Sequence, residues 1–207
     1  MDKEIKQENH MKYLGISISS NMTWSEHIEI ISSKINPRPG LLIRIKHLLP
    51  RQARLLYYNS LVLPIFDYAD IIWGDKNNTV IMNSLQILQN KAAKIILDRP
   101  LYSSASASLT ELNWKTLKER RLYNRCLYLF KCKQGYINNH LSLVEKKDIH
   151  QHDTRNKSNV RLPLVKTNWG KQRLEYHAVK DWNNLNDETR LSNSILSFKN
   201  KFLLLSN

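Results

Sequence analysis

The sequence predicts a mainly α fold, a helical bundle that opens with one short strand and is followed by a second small helical unit. Apolar residues recur at spacings of three and four through most of the chain, whereas clean alternation appears once, near the N-terminus. Proline, glycine and Ser/Ala runs fall between the helical stretches and set their ends. With 207 residues, 42% of them apolar, the chain can bury a core in one or two small domains.

Residues 1–12 are polar and predict a disordered N-terminus. In Tyr13-Leu14-Gly15-Ile16-Ser17-Ile18 the residues Leu14, Ile16 and Ile18 share one face, the pattern of a half-buried strand. Thr23-Trp24-Ser25-Glu26 fits a capping box, and the helix it opens would turn Ile28, Ile31 and Ile35 inward. Asn36-Pro37-Arg38-Pro39-Gly40 should stop that helix, since two prolines do not fit a helix interior. Residues 41–49 resume an apolar pattern interleaved with Arg44, Lys46 and His47, and Pro50 stands where a first helical turn tolerates it.

The stretch 55–74, LLYYNSLVLPIFDYADIIWG, is the most apolar part of the chain. Leu55, Leu56, Ser60 and Leu63 recur at helical spacing, and Pro64 removes a backbone donor, so a bent, buried hairpin of helix must kink or restart there. The run is too interrupted to span a bilayer, which needs about 20 apolar residues, and no membrane partner is expected. After a loop at 76–78, with Thr79 as cap, Val80, Ser84, Leu88, Ala92 and Ile95 mark one stripe of a long amphipathic helix, with Ile81, Leu85 and Ile96 beside it. Arg99-Pro100 closes it, and the Ser/Ala run at 103–108 reads as a flexible connection between a region 13–100 and an extension 101–207.

In the extension, residues 108–112 form a short helix, and 114–134 a long one with Tyr123, Cys126, Leu127 and Phe130 inward and Gly135 as its stop. A polar loop spans 136–168, with a brief extended piece at 160–164. Leu174, Ala178, Trp182 and Leu185 define the face of a helix over 170–185, and Ile195, Phe198 and Phe202 that of a last one over 194–204. No internal repeat and no sustained heptad is present.

Lys and Arg number 32 against 18 Asp and Glu, a net charge of +14 that favours polyanionic partners such as nucleic acid. The basic residues stand in acid-free stretches: Lys34, Arg38, Arg44, Lys46, Arg51 and Arg54; then Arg120, Arg121, Arg125, Lys131 and Lys133; then Arg155, Lys157, Arg161, Lys166, Lys171 and Arg173. Such stripes can neutralise phosphates without sequence choice, although solvated helix faces look the same. The two cysteines, Cys126 and Cys132, fall on different faces of one helix, and no signal or transit segment is apparent, so a reduced protein of the cytoplasm or nucleus is expected.

No catalytic constellation stands out. Asp67, Asp70 and Asp75 invite comparison with a two-metal nuclease, but such sites gather carboxylates about 4 Å apart from several elements, and capping or pairing with arginine is the stronger reading. His140, His150 and His152 with Cys132 match no paired zinc-ligand spacing. The GxGxxG, GxxxxGK[ST], GxSxG and HExxH motifs are absent; neither metal nor cofactor is expected.

The order of ten segments is more specific than any of them: YLGI from Tyr13, WSEHI from Trp24, SLVLPIFDY from Ser60, IWG from Ile72, LQILQNKAA from Leu85, Leu112-Asn113-Trp114 with Glu119-Arg120-Arg121, Thr154-Arg155, WGK from Trp169, WNNL from Trp182 and SFK from Ser197. In this order they resemble the part of jockey-like non-LTR (LINE-type) retrotransposon reverse transcriptases that follows the palm. The resemblance implies that Tyr13, Leu14 and Gly15 correspond to the primer-grip region. It further implies that the helices after them are a thumb and C-terminal extension gripping RNA or an RNA/DNA hybrid, and that the catalytic aspartates lie upstream. The chain then would not polymerise alone, and a palm in the same or another polypeptide is the implied partner. The Asn36–Gly40 segment departs from the family's continuous helix, and Asn186 stands where proline is common.

The expected backbone contacts are Lys34, Arg44, Lys46, Arg51 and Arg54, then Arg120, Arg121 and Arg125. The alternatives are a protein-interaction or structural module, whose apolar stripes at 55–73 and 80–96 pack on a palm, and a small nuclease using Asp67 and Asp70.

Overall fold

The computed structural model describes residues 8–21, 23–74, 79–138, 141, 143–149 and 158–204. It is mainly helical, with one two-stranded antiparallel sheet near the N-terminus. That sheet corrects the single strand at 13–18. Leu14 and Gly15 both have positive φ, 47° and 81°, which makes a tight turn whose twist suits a hairpin. Strand β1 (His10–Tyr13) therefore pairs with β2 (Ile16–Ser19), Tyr13 opposite Ile16. Residues 10–12, assigned to a disordered tail, are strand; residues 1–7 lie outside the described set.

Helix α1 (Ser25–Ile35) buries Ile28, Ile31 and Ile35 as their spacing predicts, with His27 beside them. The capping box does not form: the Thr23 hydroxyl donates to Asn21 Oδ1 at 2.8 Å, and the Glu26 carboxylate meets His10 Nδ1. The two prolines do not remove helix either. Asn36 keeps helical angles, and α2 (Pro37–Ile45) starts on Pro37, where the first turn has no use for the missing donor. A 3₁₀ turn (Lys46–Leu48) and Pro50 lead into α3 (Arg51–Tyr57).

Pro64 is accommodated by a π-helical turn, Tyr58–Val62, before α4 (Leu63–Asp67). The wider turn gives way where proline has no N–H to offer and its ring would strike the preceding turn. The residue thus inserted rotates the buried face. Tyr58, Val62 and Phe66 point inward, while Leu56 is 66% exposed and Ser60 lies in solvent. After a break at Tyr68 and left-handed Ala69, α5 (Asp70–Trp73) buries Trp73, whose Nε1 donates to the Tyr68 carbonyl at 2.7 Å. The Tyr68 hydroxyl donates to the Leu14 carbonyl at 2.6 Å, which ties the hairpin turn to this segment.

The stripe of α6 (Thr79–Ile96) is Leu85, Leu88, Gln89, Ala92, Ala93, Ile95 and Ile96, with Val80 and Ser84 left exposed. The Ser/Ala run is not a flexible connection: Ser104 Oγ accepts the Ala107 N–H and opens α7 (Ala105–Glu111). Two compact units divide instead between Leu117 and Lys118. The first packs Ile28, Ile31, Ile35, Leu42, Tyr58, Val62, Phe66, Trp73 and the α6 stripe into one core, with Tyr58 stacked on Trp114 at 4.1 Å. Each such Leu or Ile contributes roughly 1.5–3 kcal/mol by leaving water.

The second unit is built on α8 (Leu117–Lys133), α9 (Leu174–Asn183), α10 (Asp187–Arg190) and α11 (Ile195–Leu204). Phe198 stacks on Phe130 at 4.6 Å and on Trp182 at 6.1 Å, and Cys126, Leu129, Ala178, Val179 and Phe202 complete the core. Both cysteines are free and buried. The loop at 136–168 is partly ordered: Val160 bridges Glu145, and the Asn183 amide holds Val160 on both sides, at 3.0 and 2.9 Å. Asn186 has a local use, since its side chain accepts the Thr189 N–H at 3.0 Å and caps α10.

Candidate nucleic-acid interface

An arginine can hold a phosphate only if its guanidinium is accessible and not already committed, and the structure sorts the basic residues by that criterion. In the first unit Lys34 and Arg44 are exposed. The other three expected contacts have internal partners. Lys46 pairs with Asp98 and holds that carboxyl below the usual range. Arg51 reaches Glu111 at 3.2 Å, a carboxylate it shares with Arg99. Arg54 closes two chain ends at once: its Nε donates to the Leu49 carbonyl at 3.0 Å, and its Nη1 to those of Ile95 and Ile96 at 3.3 and 3.0 Å. At the end of α6 it thus supplies a donor to the Ile96 carbonyl and a second one to that of Ile95, which also accepts the Asp98 N–H at 3.1 Å. Tyr13 and Leu14 are 60% and 71% exposed at the hairpin turn, beside Gly15.

In the second unit Arg121 and Arg125 are buried, at 6% and 5% exposure, and Arg120 is half-buried. Arg125 Nε donates to Asp181 Oδ2 at 2.7 Å, and both side chains are enclosed. Arg121 and Arg125 lie within the unit rather than on an outer stripe. The reason is geometric: they stand four apart, one helical turn, on the face of α8 that also carries Cys126 and Leu129.

The exposed charge lies elsewhere. The second unit carries 18 Lys and Arg against 8 Asp and Glu, the first 14 against 10. Arg161, Lys166, Lys171 and Arg173 are all exposed along one irregular segment leading into α9, and of the four Arg173 has an acid beside it, Glu175 Oε2 at 3.6 Å from its Nη2. This segment belongs to the acid-free stretch between Asp153 and Glu175, where six basic residues fall within 21, the densest of the three stretches, and that density is the sequence signal that marks it. By contrast Glu145 gathers Lys133 at 2.5 Å and Lys147 at 2.8 Å. Burial pushes its carboxyl up, but the two ammonium groups prevail and hold it below the ordinary value. Lys133 also lies 5.3 Å over the Trp182 ring, so it too serves the interior.

Among the described residues the carboxylates gather at no metal centre. Asp70 is 3% exposed in the first turn of α5, and Asp67 lies one turn before it. Asp75, His140, His150 and His152 fall outside the described residues. Burial pushes the Cys132 thiol up, away from the thiolate a metal would need. Among the described residues no three His, Cys, Asp or Glu side chains gather as a metal site, and no helix is long and apolar enough to cross a membrane.

No protein-family model and no solved structure matches the chain. Two curated proteins of Drosophila melanogaster do. It is 30% identical over 121 residues, 56% of its length, to the probable RNA-directed DNA polymerase from transposon BS. It is 27% identical over 95 residues, 44% of its length, to the probable RNA-directed DNA polymerase from transposon X-element. The chain covers 13% and 10% of those proteins. Over about half its length, then, it is related to RNA-directed DNA polymerases of transposons.

Proposed function

We infer that the chain is a post-palm, thumb and C-terminal part of a jockey-like non-LTR retrotransposon reverse transcriptase, without polymerase activity of its own, that grips RNA or an RNA/DNA hybrid by the backbone. The observation that carries this reading is the ordered motif series, supported by similarity to two transposon polymerases and by the excess of basic residues in the second unit. Lys34 and Arg44 in the first unit, and Arg161, Lys166, Lys171 and Arg173 in the second, are the phosphate contacts. Ammonium and guanidinium groups on one irregular strand can follow a backbone without reading bases, and each neutralised phosphate releases counterions. The protein would act in the cytoplasm or nucleus, beside a palm in the same or another polypeptide.

Binding of the purified chain to a labelled RNA/DNA hybrid over a salt series, with and without Mg²⁺, tests this. Affinity that falls steeply with salt and ignores Mg²⁺ is the expected result; absence of binding at low salt would overturn it. A second reading, a helical interaction or structural module, draws on Leu56, Leu61, Ile72 and Ile87, which are apolar and between 45% and 66% exposed. Self-association insensitive to salt, with no nucleic-acid binding, would favour it.

A further inference from the structure

Trp169 is the feature that phosphate binding leaves unexplained. Of the five tryptophans, all within the described residues, Trp73 and Trp182 are buried, and Trp24 and Trp114 are packed against the first core. Trp169 is 51% exposed. An indole costs free energy to leave in water, and this one is held there by a fixed turn. Thr167 Oγ1 accepts the Gly170 N–H at 3.1 Å, the Trp169 carbonyl accepts the Gln172 N–H at 3.0 Å, and the Gly170 carbonyl accepts the Arg173 N–H at 3.3 Å. Gly170 lets the turn close against the irregular segment before it, since a Cβ there would lie 3.0 Å from the Val165 side chain. On either side stand the exposed cations Lys166, Lys171 and Arg173, with Lys171 Nζ 3.5 Å from Asn168 Oδ1 on the same turn and Arg173 Nη2 3.6 Å from Glu175 Oε2, a loose pair in which the arginine stays largely in solvent.

An exposed aromatic face on a rigid turn, flanked by positive charge, is what an unpaired nucleobase requires: the ring stacks on the base and the cations hold the phosphates around it. A base inside a duplex has both faces occupied and cannot use the indole. We propose that Trp169 is a stacking site for an unpaired base of single-stranded nucleic acid, with Lys166, Lys171 and Arg173 holding the adjoining phosphates. This rests on the nucleic-acid reading above and adds a strand preference to it.

The test compares the full chain with Trp169→Ala and Trp169→Phe on two probes, an unstructured oligouridylate and a fully paired RNA/DNA hybrid, after circular dichroism has matched the folds. Trp169→Ala should weaken oligouridylate binding roughly 10-fold, leave hybrid binding and the salt slope unchanged, and be rescued by Trp169→Phe. Equal oligouridylate affinity for wild type and Trp169→Ala would overturn the stacking site while leaving backbone binding intact. A wild-type chain that binds neither probe would overturn both readings.

Discussion

The two units handle positive charge in opposite ways. In the first, Arg51, Arg54, Lys46 and Arg99 are committed to Glu111, Asp98 and the carbonyls that end α6, so these four cations serve the fold. In the second, two arginines are buried, yet Arg161, Lys166, Lys171 and Arg173 remain in solvent around one irregular segment. A basic stripe in sequence therefore does not identify an anion site. What decides is whether the fold supplies an internal acceptor within reach, and residues nearest a helix end or an internal acid are the ones withdrawn.

The sharpest way to break this contrast is Arg125→Ala, which leaves Asp181 enclosed without its guanidinium and should cost about 3–5 kcal/mol, read as a lowered denaturation midpoint. Arg51→Ala, at an exposed pair, should cost at most about 1 kcal/mol in the same experiment. Between them lies Arg54→Ala: the Leu49 and Ile96 carbonyls lose the guanidinium, while that of Ile95 keeps the Asp98 N–H at 3.1 Å, and roughly 1–3 kcal/mol should follow, with hybrid affinity unaltered. An Arg54→Ala chain of wild-type stability but poor binding would return Arg54 to the interface.

The smallest effect is a pH dependence of the first unit. His27 accepts the Ser17 N–H on Nδ1 at 3.3 Å and lies edge-on to Trp73 at 5.5 Å; burial, then Lys34, lowers its pKa below 6.5. The folded state prefers neutral imidazole, so its contribution is intact above 6.5 and declines as pH falls below it, where the unfolded chain takes up the proton first. Denaturation midpoints across that range should fall less in His27→Gln than in wild type; equal slopes would remove His27 from the account.

Regular helices were legible because packing repeats at their period: Ile28, Ile31 and Ile35, and likewise Ala178 with Trp182, are buried where spacing places them. Less legible was anything set by one backbone angle. A left-handed Leu14 turned one strand into two, and a π turn before Pro64 exchanged Leu56 and Ser60 for Tyr58 and Val62. Pro37 marked a helix start where proline content suggested an end. For the site, the acid-free stretches were visible, but Ile96, which helps withdraw Arg54, and Asp181, which withdraws Arg125, lie 42 and 56 residues away, beyond any local pattern. Trp169 showed in sequence as part of a motif, without the turn that exposes it.

The central claim is that nucleic-acid contact rests mainly on exposed charge of the second unit. Its most direct test is the salt slope of RNA/DNA hybrid binding for three full-length chains: wild type, the combined Lys166→Glu, Lys171→Glu and Arg173→Glu variant, and the combined Lys34→Glu and Arg44→Glu variant. Loss of three phosphate contacts should make the log–log slope shallower by about 2–3 in the first variant, with the smaller change in the second. A wild-type slope in the Lys166/Lys171/Arg173 variant, with the loss confined to Lys34 and Arg44, would contradict the account and place the grip in the first unit.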